Sequence, residues 1–244
     1  MPKLFDPVLI FTQIPQLLAN LPVTLFIMAL SILLGYAIGL LLALVKIKKI
    51  PVLRQLTALF VSFTRGTPIL VQLYIAYYGI PLFLRYVNYF YHTNFNINGL
   101  PGMLFVIFAF SMNEAAYGSE MIRAAIESVD RGQIEAAQSL GMTYPQVLRR
   151  IVVPEAFVVA LPSLGNSIIS LLKGTSLAFV CAVVEMTAKG KILAGNSYRY
   201  FENYLALAII YWVLTIGIEQ LVKYAERRMA VDQPKEKPCL NLKN

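Results

Sequence analysis

The sequence predicts an all-α membrane protein that crosses a bilayer about five times. Its composition, a set of long apolar runs and a one-sided distribution of basic residues carry that prediction. The chain has 244 residues, of which 58% are hydrophobic and 14% charged. Soluble domains run at roughly 45–50% apolar and about 25% charged, so a single aqueous fold would have no use for this much apolar surface. At this length one domain is the default.

A helix crossing about 30 Å of hydrocarbon needs roughly 20 mainly apolar residues. Five runs meet that requirement. Leu21–Val45 is free of charge and is followed by Lys46, Lys48, Lys49 and Arg54. Gln55–Leu84 contains Arg65-Gly66-Thr67-Pro68, so an interrupted or kinked span is expected there. Pro101–Ser119 is apolar up to Glu114, Pro154–Val184 contains only Glu155 and Lys173, and Tyr204–Ile218 with its flanks is the last span. The expected organisation is an N-terminal extracytoplasmic segment over 1–20, a transmembrane domain over 21–225 and a polar cytoplasmic tail over 226–244. Asp6, Pro7, Pro15 and Asn20 break the N-terminal segment, which does not read as a cleaved signal peptide.

An odd number of spans puts the termini on opposite sides, and cytoplasmic loops are enriched in Lys and Arg. With the N-terminus outside, 14 of the 21 basic residues fall in cytoplasmic segments and five outside. The expected orientation is therefore N-terminus out and C-terminus in. The formal net charge of +8 thus reflects span ends and a bilayer, not a nucleic-acid partner. Aromatic clusters at Tyr86, Tyr89, Phe90 and Tyr91, and at Tyr198, Tyr200, Phe201 and Tyr204, suit membrane interfaces. Cys181, Cys239 and His92 have no metal-ligand spacing, and no metal site is expected.

The largest predicted cytoplasmic loop, 123–150, has Ala-rich helical pieces, a glycine between them and Pro145 at a helix start, so it is expected to be folded. It reads Glu135-Ala136-Ala137, three residues, Gly141, nine residues, Ile151, one residue, Val153-Pro154. Small Ala136 and Ala137 would permit close approach, Gly141 would turn the chain, and Pro154 would open the next span. This pattern resembles the EAA loop of permease subunits of bacterial binding-protein-dependent ABC importers, with Val153 where Leu is usual. Phe63-Thr64-Arg65-Gly66-Thr67-Pro68-Ile69-Leu70-Val71-Gln72-Leu73 is similar to the signature of the polar amino acid permeases within that family. So are the segments from Ala116 to Arg123 and from Leu171 to Leu177.

The resemblance implies a type I ABC importer permease fold with a cytoplasmic coupling helix that docks in a groove of an ATPase. It further implies a second permease copy, identical or a close paralogue, an ABC ATPase dimer, an extracytoplasmic substrate-binding protein and a bacterial cell-membrane location. The chain lacks the phosphate-binding pattern Gly-x4-Gly-Lys-Ser/Thr, so ATP is expected to be bound by the partner and no cofactor by this chain. The overall likeness is to permeases for cystine, glutamine, histidine or arginine, and cystine is the preferred substrate on resemblance alone.

Ionisable groups inside spans are costly and line pathways or pair with one another. Asn113, Tyr117 and Glu120 share one face of the third span, and Glu120 can pair with Arg123 one turn on. Asn166, Ser170 and Lys173 share a face of the fourth, with Thr175, Ser176 and Glu185 further along. An amino-acid zwitterion needs an anion for its ammonium and cationic or N–H donors for its carboxylate. Glu120 and Glu185 are candidates for the first role, and Arg65, Lys173, Thr175 and Ser176 for the second. The competing expectation for Arg65, Glu120 and Arg123 is an ion-pair network that holds the bundle together. An ion-coupled transporter acting alone is the alternative function, but it gives no reason for the 135–154 loop. A membrane enzyme has no clustered ligands or nucleophile motif to support it.

Overall fold

The computed structural model describes residues 5–97 and 99–230. Ten α-helices follow one another without a strand among the described residues: α1 (Pro7–Leu18), α2 (Leu21–Ile47), α3 (Leu53–Gly66), α4 (Ile69–Tyr91), α5 (Gly102–Glu127), α6 (Arg131–Ser139), α7 (Tyr144–Val147), α8 (Val153–Gly174), α9 (Met186–Ser197) and α10 (Tyr200–Ala230). Four helical segments are long and apolar enough to cross a membrane: Leu21–Ile47, Ile69–Tyr91, Tyr144–Cys181 and Tyr200–Met229.

The fifth expected crossing is α5, whose 26 residues would reach about 39 Å at 1.5 Å per residue. It carries more polar residues than the others because it is the central helix. Phe105, Val106, Phe110, Ser111, Glu114, Ala115, Ala116 and Ser119 are all buried along it. A helix screened by its neighbours need not be apolar all round.

The tightest contact in the bundle is between α2 and α5, and small residues create it. Thr24, Ser31, Gly35, Gly39 and Ala43 form a buried stripe along α2. A Cβ added at Gly35 would lie 2.5 Å from Glu114 Cβ, and one at Gly39 would lie 3.1 Å from the Ala115 carbonyl. Small residues four apart let two backbones approach to this distance, which substitutes for the hydrophobic drive that lipid cannot provide. Gly35 meets the Ser111–Ala115 level and Gly39 the Ala115–Ser119 level, so the two helices run parallel. A parallel neighbour requires one return pass between them, and α3 with α4 supplies it.

Two expected spans are divided. The run 55–84 is not one kinked helix but α3 and α4, separated at Thr67 and Pro68 by extended backbone, and α4 continues past Leu84 to Tyr91. The run 154–184 does not begin at Pro154. Its helical rod starts at Tyr144 and passes through one π turn, Leu148–Val152, in which Val153 N–H bonds the Leu148 carbonyl. Pro154 has no N–H to bond four residues back, and the wider turn absorbs that break. Nor does the run reach Val184 as an α-helix. It tightens to a 3-10 stretch, Thr175–Cys181, and stops at Ala182 with φ 60°.

The N-terminal segment, expected to be broken, forms α1. Asp6 accepts from Val8 N–H at its start, and Pro7 occupies the first turn, where no backbone donor is needed. Ile10 and Leu17 of α1 pack with Met186, Ala206, Leu207 and Ile210. The helix α9 had no counterpart among the expected elements. Cys181 is buried; Cys239 and the tail beyond residue 230 lie outside the described residues.

The glycine seam makes a matched test. Gly35→Ala forces α2 away from α5 and should lower thermal stability by about 1–3 kcal/mol, the usual cost of overpacking. Gly217→Ala adds its methyl where nothing lies within 4 Å and should leave stability unchanged or slightly raised. Thermal unfolding of the two detergent-solubilised variants, followed by size-exclusion profile, checks the difference.

Candidate functional site

The residues singled out in the sequence fall into two groups. The first gathers around one face of α5. Asn113 Nδ2 donates to Gln72 Oε1 at 3.0 Å. Gln72 Nε2 in turn lies 2.7 Å from the Thr64 carbonyl and 3.0 Å from both the carbonyl and the hydroxyl of Thr67. Pro68 cannot continue the helix, and the Gln72 amide satisfies the acceptors freed at the break. One turn further along α5, the Arg65 guanidinium sits 5.3 Å from the centre of the Tyr117 ring, within cation–π range.

Glu120 closes this face as an ion-pair hub. It bonds Lys46 of α2 and, at 2.8 Å, Arg123, which reaches on to Glu127 at 2.6 Å. Glu120 and Arg123 therefore pair as their spacing predicts, while Arg65 pairs with a ring instead. Lys46 and Gln72 are members that the sequence reasoning passed over. Lys46 read as one of a basic cluster and Gln72 as part of a motif, and only the parallel packing of α2 and α5 and the fold-back at Pro68 bring them in. Glu114, one residue from Asn113, was also passed over. It is 7% exposed and faces the α2 seam, where its Oε2 has no hydrogen-bond partner among the described residues.

The second group lies between the 3-10 stretch after α8 and α10. A cavity of about 490 Å³ there is lined by Lys173, Ser176, Thr187, Tyr211, Trp212 and Thr215, among others. Lys173 is exposed into it. Thr175 is buried behind, its hydroxyl donating to the Leu172 carbonyl at 2.7 Å. Glu185 is fully buried, and its carboxylate caps α9 by accepting from Thr187 N–H and Ala188 N–H, both at 2.8 Å. The Tyr211 hydroxyl adds a contact at 3.4 Å. Capping an N-terminus satisfies donors that α9 cannot satisfy itself. Both oxygens are thus occupied by α9 backbone donors and Tyr211, so the protein itself satisfies the carboxylate that the sequence offered as an ammonium partner. Trp212 borders the cavity.

The loop 123–150 is folded. Asp130 caps α6 by accepting from Gly132 N–H at 2.8 Å. Gly141 turns the chain with φ +82°, a left-handed value open to glycine at no steric cost. Thr143 N–H donates to Gln146 Oε1 at 2.8 Å at the start of α7. Underneath, Ala125, Val129, Ala137, Val147, Val152 and Ala156 form one apolar cluster. Of the two alanines expected to permit close approach, Ala137 packs into this cluster and Ala136 is exposed with Glu135. Leu140 and Tyr144 stand out from the loop, 85% and 70% exposed. The loop therefore presents a small apolar surface on a rigid base.

Comparison with known proteins follows the same lines. The L-cystine transport system permease protein TcyL of Bacillus subtilis (strain 168) is 41% identical over 96% of this chain and 95% of its own length. The probable amino-acid permease protein YxeN of the same organism is 45% identical over 88% of this chain and 92% of its own length. A crystal structure of an amino acid ABC transporter with histidines superposes with a TM-score of 0.77 at 33% identity, covering 92% of this chain and 99% of that one. Both Bacillus relatives are named as permease proteins, and ATP hydrolysis belongs to the partner ATPase. Residues 35–231 match the family of binding-protein-dependent transport system inner membrane components, and with the relatives above this establishes that the chain belongs to that family as a multi-pass inner-membrane permease of the amino-acid ABC importers.

Proposed function

We propose that this chain conducts cystine across the membrane and couples that movement to a separate ATPase through the 135–154 loop. The observation that carries the coupling half is the exposed pair Leu140 and Tyr144 mounted on a buried apolar cluster. A surface held this firmly transmits a push from a docked partner instead of yielding to it. Glu135 and Ala136 lie on the same exposed side, Gly141 sets the angle between α6 and α7, and Pro154 with its π turn joins the loop to α8. The cystine half is supported by the 41% identical relative named for L-cystine transport.

In this reading Lys173 and Ser176 receive the substrate carboxylate in the 490 Å³ cavity, near the hydroxyls of Thr187 and Tyr211. Thr175 and Glu185 hold that cavity's wall from behind. Arg65, Asn113, Tyr117 and Glu120 fix how α3, α4 and α2 sit around α5, and so set the shape of the pathway. The unit works as two permease copies, with two ATPase subunits and an extracytoplasmic binding protein. The transmembrane domain comprises 21–225, flanked by the outer segment 1–20 and the cytoplasmic tail 226–244. The N-terminus is outside and the loop and C-terminus are cytoplasmic. Lys46, Arg123, Arg149, Arg150, Lys223 and Arg227 all lie toward that one end of the helices.

Orientation is checked by labelling. Asn94→Cys, in the connection between α4 and α5, should react with a membrane-impermeant thiol reagent from outside and not from the cytoplasm; reaction from the cytoplasm alone overturns the orientation.

Coupling is checked by Gly141→Val. A β-branched residue at φ +82° is strained by more than 1 kcal/mol and should re-aim Leu140 relative to Tyr144. ATPase stimulation and uptake should fall while the chain still inserts. Transport equal to the parent's would remove the loop from the coupling route.

The substrate contact is checked by Lys173→Gln in the complete transporter. A charge-assisted hydrogen bond contributes about 1.5–3 kcal/mol, so cystine uptake per assembled complex should drop about ten- to a hundredfold. Parallel loss of assembled complex would instead make Lys173 structural.

A further inference from the structure

A second cavity, of about 260 Å³, lies lower on the same seam between α8 and α10. Asn166 lines it from α8, and Glu219, Lys223 and Glu226 line it from α10. The three α10 residues are spaced four and three apart, so one face of the helix brings all of them to the cavity. That spacing is also the spacing of helix ion pairs, Glu preceding Lys by four being the favourable order. Yet the salt bridges among the described residues are Lys46–Glu120, Arg123–Glu120, Arg123–Glu127 and Arg199–Glu202, and none joins Lys223 to Glu219 or Glu226. Opposite charges line a common space without closing on each other.

The two helices are held close at this level. A Cβ on Gly165 would lie 2.7 Å from Val222 Cγ1, so the glycine lets α10 lie against α8 beside the charged groups. The cavity is also continuous in chemistry with the larger one above it. On α8, Asn166, Ser170 and Lys173 follow one another at helical spacing and lead to Ser176. On α10, Glu219, Thr215 and Tyr211 do the same at intervals of four. Thr215 borders the upper cavity, is 8% exposed, and its hydroxyl has no hydrogen-bond partner among the described residues. A buried hydroxyl left without a partner is costly, and one placed between the two cavities is available to whatever passes from one to the other.

We propose that the lower cavity is a second station for a zwitterionic amino acid, through which the substrate leaves. Lys223 and the Asn166 amide receive its carboxylate, and Glu219 and Glu226 its ammonium. The inference rests on the reading of the upper cavity as the substrate site, and it adds a release step to it. The half of α8 nearer the 123–150 loop and the C-terminal half of α10 flank this cavity, which puts the station on the side of the seam nearer that loop.

The test uses the complete transporter, with its ATPase and binding protein, in proteoliposomes with radiolabelled cystine. Glu219→Gln and Lys223→Gln are combined in one variant. The amount of assembled complex and the binding-protein-stimulated hydrolysis of ATP should stay within twofold of the parent, while uptake per ATP hydrolysed falls at least fivefold. Each single variant should show part of the same loss. Uptake per ATP equal to the parent's would mean the charges are only a solvated face and would sink the station. A parallel fall in assembled complex would make them structural and sink it equally. Parent uptake separates the two readings: an inactive parent removes the transport assignment, whereas an active parent with an equally active double variant removes the exit station alone.

Discussion

Everything else in this bundle depends on how closely α2 approaches α5. In lipid, apolar side chains gain little by leaving the acyl chains for one another, so helices associate through close packing and through the few polar contacts that packing allows. Gly35 and Gly39 provide the close packing by bringing the α2 backbone against Ser111, Ala115 and Ser119. With that register set, Lys46 falls beside Glu120, and the charged end of α5 gains a partner from another helix as well as from Arg123. The same register buries Glu114 against Gly35. The adjoining face of α5, with Asn113 and Tyr117, is left for Gln72 and Arg65, which arrive from the return pass.

The return pass and the later helices are interrupted at three places, and each interruption has its own local compensation. At Thr67 and Pro68 the Gln72 amide caps the carbonyls that the proline strands. Before Pro154 a single π turn carries the chain past a missing donor. Beyond Cys181 the helix ends at Ala182, and Glu185 starts a new one by capping α9. In hydrocarbon each uncompensated backbone group would cost several kcal/mol, roughly. Breaks of this kind survive only where side chains or a local change of helix type satisfy them. They also place polar side chains such as Glu185 in the bundle interior.

The two cavities on the α8–α10 seam and the loop below them lie on one physical path. The loop is anchored by Ala137, Val147 and Val152 to the base of α5 and α8, and α8 is the helix that carries Asn166 and Lys173 upward. A displacement at Leu140 and Tyr144 is therefore passed to the helix that lines both cavities. In the proposed coupling, rigid packing under the loop supplies the mechanical basis, because a close-packed cluster shifts as a unit.

The sequence by itself determined the class of protein, the approximate position of the four membrane-length helices, the folded loop with its turn at Gly141 and the break at Thr67 and Pro68. Those features rest on local chemistry: apolar length, missing donors and the conformational range of glycine. The Glu120–Arg123 pair was legible too, because both partners lie on one helix at fixed spacing. What only the tertiary structure decided was every contact between helices. Lys46 is far from Glu120 in the chain, Gln72 folds back on Thr64 and across to Asn113, and the partners of Glu185 are two backbone donors of α9 that no span pattern pointed to. The end of α8 was equally hidden, since an apolar run has the same composition whether it continues as α-helix or tightens to 3-10. Hydrophobicity gives the length of a span but carries no information on which face meets which neighbour; that is settled by small residues at the crossing, and their effect is visible only once two helices are packed together.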